Sequence, residues 1–275
     1  HTVDMEMSGQ TEDYYYFSTV LPCETHRIKY YFEIYDDYEC IQYSESGFTK
    51  GYDRNDLAMF FIPYLTKSNI FDPPTWIQNT VWYQILPIRF NEDIPGIIDK
   101  LDYLQELGIN GLYLNPIYLA KSYHKYDVID YCQLDLDFGT MSDFEFLCEQ
   151  AHKRNMKVML DISFTHCSDE NPMFQDVLKK KKASDYYEMF KCDIDEEGNV
   201  LYETFGWIRS MPKFETESFK TSEYFINEVI KRWMELGVDA WRLDVANEIS
   251  DTFLRRVNQV VHSYKKETYI VGETT

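Results

Sequence analysis

The stretch FKTSEYFINEVIKRWMELGVDAWRLD (219–244) reads as a helix over 219–237 that feeds directly into a strand, VDAWRLD. The same unit recurs on both sides of it. Downstream, EISDTFLRRVNQVVHSYKK is a helix and TYIVGE a strand. Upstream, the helix SDFEFLCEQAHKRN (142–155) precedes the strand MKVMLDISF (156–164), and INGLYLNPI is a further strand. IPGIIDKLDYLQELG (94–108) carries Ile97, Ile98, Leu101, Leu104 and Leu107 at helical spacing and stops at Gly108. VWYQILPIRF (81–90) is almost continuously apolar, as a parallel strand buried on both faces requires. Alternating β and α segments with short loops predict the α/β class, a parallel sheet with its helices outside. About five strands of a (β/α)8 TIM barrel are present, each with polar residues at its C-terminal end, where such a barrel builds its active site.

Two regions break this rhythm. Residues 167–218 form an excursion too long for a structureless loop, so a small subdomain is expected after the third strand. Its Lys run at 179–182 reads as a solvated face. Residues 14 to about 65 read as β: YYYFSTVLP, HRIKYYFEIYDD and ECIQYS are aromatic and β-branched, with polar or turn residues between them. Three short strands do not close a sandwich, so this is expected to be part of an N-terminal β-sandwich domain. The Pro-Pro pair in TKSNIFDPPTWI (66–77) marks a linker. The expected organisation is residues 1–73 as β domain and linker, and 74–275 as the first part of the barrel with the insertion at 167–218.

Composition narrows the partners. The 275 residues include 27 Lys+Arg and 47 Asp+Glu, a formal net charge of −20, which argues against nucleic acid and against an anionic membrane surface. An aromatic content of 17% is incompatible with a disordered acidic tail. No apolar run approaches the ~18–20 residues of a membrane span. Cys23, Cys40, Cys132, Cys148, Cys167 and Cys192 are scattered without CxxC spacing and read as reduced thiols of a cytoplasmic protein. The N-terminus HTVDMEMSGQTEDYYYF has neither the basic nor the apolar region of a signal peptide.

The strand ends carry the chemistry. The third strand ends in Asp161 and His166, the fourth in Arg242 and Asp244, the fifth in Glu273. Adjacent in a barrel, these ends converge on one pocket. Two carboxylates on neighbouring strands are what glycoside hydrolysis needs, one ionised as nucleophile and one protonated to donate to the leaving oxygen. Arg242, two residues before Asp244, is expected to hold it ionised. Singly, each residue is better explained as a helix cap or a strand-face ion pair than as a catalytic group; their co-occurrence at three successive strand ends weakens that explanation. A metal-dependent hydrolase using Asp161, His166 and Asp244 would need more His or Cys convergence, and His26, His152 and His262 sit on the β segment or on helix faces.

GVDAWRLDVANE (237–248), DISFTH (161–166) and VGE (271–273) resemble the motifs of the α-amylase family of glycoside hydrolases. VANE, MPKF (211–214), HKYDVIDY (124–131) and TVWYQILPIRF (80–90) are similar to the neopullulanase, cyclomaltodextrinase and maltogenic amylase branch. The resemblance implies that Asp244 is the nucleophile and Glu273 the general acid and base. It implies that Arg242 and His166 bind sugar at the cleavage subsite, that Tyr126 stacks there with His124 beside it, and that Asp161 is structural. Glu248 would lie on the acceptor side, where the branch handles α-1,6 linkages and transglycosylation. The implied substrates are cyclodextrins, pullulan or short maltooligosaccharides; the competing function is an amylase-like binding or scaffold protein without catalysis. The resemblance also implies a homodimer of the full-length protein, built with the N-terminal domain. No cofactor is expected: Thr165 stands where calcium-binding members have Asn, and the loop NEDIPG (91–96) is short where the branch carries calcium ligands. The family's later motif and remaining strands are absent, so the sequence reads as an excerpt, and 275 residues alone are not expected to be an efficient catalyst.

Overall fold

In the computed structural model the described residues are 2–21, 28–36, 38–50, 59–62 and 73–274. They fall into two compact units, His1–Asp72 and Pro73–Thr275. Cys23, His26 and residues 66–72 of the expected linker lie outside the described residues; Pro73 and Pro74 lead into a 3-10 turn, Thr75–Asn79.

In the first unit the run HRIKYYFEIYDD, expected as one strand, is two. Ile28–Tyr30 pairs with Phe60–Ile62, whereas Phe32–Tyr35 pairs with Cys40–Ser44, which in turn pairs with Gly47–Lys50. A hairpin of Glu6–Gln10 and Tyr15–Ser18 adds a strand that the polar string EMSGQ did not announce. Tyr30 stacks on Phe60 at 5.3 Å, and Tyr43 meets Phe60 edge-on at 5.4 Å, so aromatic pairs supply much of this unit's packing.

In the second unit five parallel strands form one sheet: β1 (Trp82–Ile85), β2 (Gly111–Leu114), β3 (Lys157–Ser163), β4 (Ala240–Asp244) and β5 (Tyr269–Gly272). Their order is β5-β4-β3-β2-β1, so each strand lies beside its sequence neighbour, as in the first five strands of a (β/α)8 barrel. Register sets the site: Asp161 lies opposite Arg242, Ser163 opposite Asp244, and Leu243 opposite Gly272. β3 is buried from Val158 to Ser163, so its residues are apolar except Asp161 and Ser163, both of which are hydrogen-bonded.

The helices follow from their spacing. Helix α1 (Met141–Lys153) opens on a reciprocal capping box between Thr140 and Asp143, and buries Phe144, Leu147, Cys148 and Ala151 at i, i+3, i+4 and i+7. Helix α2 (Pro172–Lys180) belongs to the excursion after β3, with Asn171 as its cap. Helix α3 (Asp251–Tyr264) is capped by Ser250 and buries Phe253, Val257 and Val261. The helix expected over 219–237 contains a π-helical segment, Phe225–Ile230, between α-helical turns. Its end needs glycine: Gly237 has φ +115°, and a Cβ there would stand 2.7 Å from the Cβ of Cys148.

Two other expectations change. VWYQILPIRF is a strand only to Ile85; Pro87 then opens a helical turn, Pro87–Phe90, where its missing N–H costs nothing. The irregular stretch before α1 contains an antiparallel hairpin, Tyr118–Ala120 with Val128–Leu134. In the excursion, a hairpin of Cys192–Ile194 and Val200–Tyr202 packs with Phe174, Phe190 and Phe214. The five described cysteines are free thiols. No described helix is long and apolar enough to cross a membrane.

Candidate active site

Arg242 lies at the centre. Its Nη1 donates to Asp161 Oδ1 at 2.9 Å and to Asp244 Oδ1 at 2.8 Å, and its Nη2 pairs with Glu273 Oε2 at 2.9 Å. The ends of β3, β4 and β5 thus deliver three carboxylates to one guanidinium, because Arg242 sits between the other two strands and one row below Asp244.

Three anions around one cation leave excess negative charge in a half-closed site. Burial is the largest influence on Asp244, the charge of Asp161 adds to it, and together they push its carboxyl up to about 7. Arg242 pulls the other way and does not prevail. The expectation that Arg242 holds Asp244 ionised is therefore corrected: in the free site it offsets only part of the burial cost. Asp161 is also raised, by burial, against the opposing effects of Arg242 and of the Tyr113 and Tyr126 hydroxyls.

The turn after β4 shapes the second carboxylate's surroundings. Val245 adopts φ 48° and ψ 49°, a left-handed conformation that is costly for a β-branched residue. In that conformation its N–H donates to Glu273 Oε2 at 3.1 Å. The Glu273 N–H donates to the Leu243 carbonyl at 2.9 Å, and its carbonyl accepts from the Ala246 N–H at 2.9 Å. Gly272 permits this approach, since a Cβ there would lie 2.7 Å from the Ala246 Cβ.

Tyr126 donates its hydroxyl proton to Asp161 Oδ2 at 2.8 Å and accepts from Asn115 Nδ2 at 3.2 Å. Tyr113 donates to the same carboxylate oxygen. Burial first, and then the charge of Asp161, raise both phenols, so each stays a donor. His124 stands behind Tyr126, its Nδ1 accepting the Tyr126 N–H at 3.1 Å.

His166 is buried and its ring stacks on Phe205, with centroids 4.3 Å apart. Its Nδ1 lies 2.8 Å from Thr165 Oγ1 and 3.2 Å from Ser163 Oγ, while Nε2 has no partner among the described residues. Burial, with the charges of Lys213 and His124, lowers its pKa to about 4, so the imidazole is neutral at neutral pH. Glu248 pairs with Lys213 at 2.8 Å, and both line a cavity of about 230 Å³ with Thr165, Lys191, Phe214 and Thr216.

Asp244 and Glu273 thus each touch Arg242, and Tyr126 joins them through Asp161, with His124 behind it. His166 and Glu248 border the neighbouring cavity through Thr165 and Lys213. The set Asp161, His166 and Asp244, weighed above as metal ligands, is divided: both carboxylates are engaged by a guanidinium, and His166 bonds to Ser163 and Thr165. Sequence reasoning missed Tyr113, Asn115, Phe205 and the role of Lys213. Tyr113 and Asn115 had a signal, as alternate polar positions in an otherwise apolar strand sequence. Phe205 had none, because it arrives from the excursion by a tertiary contact.

The arrangement gathers three carboxylates on one guanidinium, with the Tyr113 and Tyr126 hydroxyls donating to Asp161. The chain matches the family profile described as "Alpha amylase, catalytic domain" over residues 84–275, and that described as "Alpha amylase, N-terminal ig-like domain" over residues 1–66. It is 37% identical to a maltogenic α-amylase of Bacillus acidopullulyticus, over 99% of this chain and 52% of that protein. It is 35% identical to neopullulanase 2 of Thermoactinomyces vulgaris, over 97% of this chain and 50% of that protein. A solved cyclomaltodextrinase superposes with a TM-score of 0.74 and 31% identity, over 98% of this chain and 52% of its own. The chain spans about half the length of these relatives. With the ordered parallel strands and the Arg242-centred carboxylates already in place, these matches mean that the chain belongs to the α-amylase family.

Proposed function

We propose that the protein to which this chain belongs is a retaining glycoside hydrolase acting on α-1,4-glucosidic bonds. Its substrates are cyclodextrins, short maltooligosaccharides and pullulan, the last extending its reach to α-1,6 bonds. The observation that carries this reading is the sharing of one guanidinium by Asp244 and Glu273. Two carboxylates gathered on a single cation suit the ~5–5.5 Å spacing of a nucleophile and an acid/base better than the wider gap that inversion needs for its water.

In this reading the Asp244 carboxylate attacks the anomeric carbon while Glu273 gives its proton to the glycosidic oxygen. The carbon–oxygen bond breaks and a β-glycosyl ester forms on Asp244. Glu273, now a base, takes a proton from water; the water oxygen attacks the anomeric carbon and releases Asp244. Catalysis requires Asp244 ionised while Glu273 carries the proton it donates, so bound substrate must favour the ionised form of Asp244. Arg242 then stabilises the Asp244 carboxylate each time it is released. Tyr126 offers a ring face to the sugar, and His166, neutral and with Nε2 buried and unpartnered among the described residues, donates to a hydroxyl once the Phe205 ring stacked on it is displaced. A sugar hydroxyl entering beside Glu248 in place of water would give transglycosylation.

A cytoplasmic location agrees with the five free thiols among the described residues. Proton NMR of the first product released from maltotriose by the full protein tests the proposal. Initial appearance of the α-anomer is expected; initial β-anomer would overturn retention. Maltotriose binding without turnover would favour the scaffold reading.

A further inference from the structure

Between His124 and Tyr126 stands a residue to which no role has been given. Lys125 has φ +64°, a left-handed conformation for a residue without glycine's freedom, and is only 3% exposed. Its Nζ pairs with Asp135 Oδ2 at 2.8 Å, both side chains being 4% exposed, and lies over the ring of buried Phe138 at 5.4 Å. Asp135 is itself fixed: its carboxylate accepts the N–H groups of Ala120 at 3.0 Å and Asp137 at 3.1 Å, and its own N–H donates to the Ile117 carbonyl at 2.8 Å. The cation's second contact, the Asp137 carboxylate, is 3.7 Å away and exposed. The loop is closed at its base by Asp127, whose carboxylate accepts the Ser122 N–H at 3.1 Å.

A buried ion pair of this kind adds little net stability, because desolvating both charges offsets their attraction. What it does is fix one geometry. The kink at Lys125 sends its own side chain to Asp135, while the next residue, Tyr126, reaches Asp161 in the carboxylate cluster. We propose that Lys125, clamped by Asp135, is a positioning residue that holds the Tyr126 ring and hydroxyl in register with Asp161 and Asp244. The inference rests on the reading of Tyr126 as part of the sugar site.

A double-mutant cycle in the full protein tests it, reading kcat and KM on maltotriose. Lys125→Met combined with Asp135→Asn removes both charges and keeps an acceptor oxygen for one of the two N–H groups, of Ala120 and Asp137, that the two Asp135 oxygens hold. Lys125→Arg is the gentler second variant, retaining the cation but displacing it. Tyr126→Ala is made in each background and in the wild type. The ion-pair variant is expected to lose kcat/KM by about 10–100-fold, the scale of a misplaced binding group. Tyr126→Ala should then cost several-fold less in that background than in the wild type, and Lys125→Arg should give the same coupling in smaller degree. If the losses simply add in either background, or if the Lys125 variants stay within twofold of the wild type, the positioning role is overturned while Tyr126 keeps its place. If Tyr126→Ala alone leaves kcat/KM unchanged, the underlying reading of Tyr126 fails as well.

Discussion

Asp161, Asp244 and Glu273 share the guanidinium of Arg242, and that arithmetic of charge governs how each residue works. Asp161 sits opposite Arg242 in the sheet and makes two of its contacts, yet its own negative charge raises the Asp244 carboxyl. With Asp244 near 7 in the free site, kcat/KM should rise with pH through that value, because the proposed nucleophile must be ionised. Asp161→Asn removes a neighbouring anion, so the acid limb should move to lower pH by about 1 unit; a pH–rate profile on maltotriose checks the direction. Asp244→Asn keeps the shape and removes the carboxylate proposed as nucleophile. Turnover should fall by about 10⁴-fold or more while maltotriose still binds, as calorimetry would record.

At the level of elements, the strand–helix alternation was legible because β3 is buried on both faces and α1 places Phe144, Leu147, Cys148 and Ala151 on one stripe. What was not legible depends on partners distant in sequence. The π-helical segment at Phe225–Ile230 follows no local signal, and Trp233 beyond it donates to the Tyr131 carbonyl at 2.8 Å, across 102 positions. The strand Glu6–Gln10 is polar and exposed, and only its pairing with Tyr15–Ser18 makes it a strand. The carboxylates were legible because they end successive strands. Phe205 and Lys213 were not, since the excursion's path decides what they touch. Helix ends offer a direct check on the packing. Gly237→Ala meets both a positive φ and the Cys148 Cβ at 2.7 Å, and should destabilise the fold by about 1–3 kcal/mol in urea titrations. Thr140→Ala, which removes only the cap of α1, should cost about 1 kcal/mol.

For the molecule as a whole, the site has a signature in stability. The Asp244 carboxyl is raised from 3.8 to about 7 by folding, so the protonated form is the one the fold favours. Its contribution is complete below about pH 4 and is lost as pH rises through about 7. His166 acts oppositely: lowered from 6.5 to about 4, it contributes above 6.5 and loses that contribution as pH falls through about 4. Asp244→Asn leaves His166 in place and isolates the first effect. Between pH 4 and 7 the wild type should therefore lose urea resistance relative to Asp244→Asn, and a constant difference would refute the burial of charge described here. The net charge of −20 belongs to the same account, since a neutral sugar polymer is not repelled by it and a polyanion is.

The central claim is that Asp244 forms a covalent bond to sugar. Incubation of the full protein with 5-fluoro-α-D-glucosyl fluoride, followed by proteolysis and peptide mass spectrometry, measures this directly. The account requires one glycosyl adduct, on the Asp244 carboxylate. An adduct on Glu273 or any other residue, or steady turnover of the reagent with no adduct formed, would contradict it.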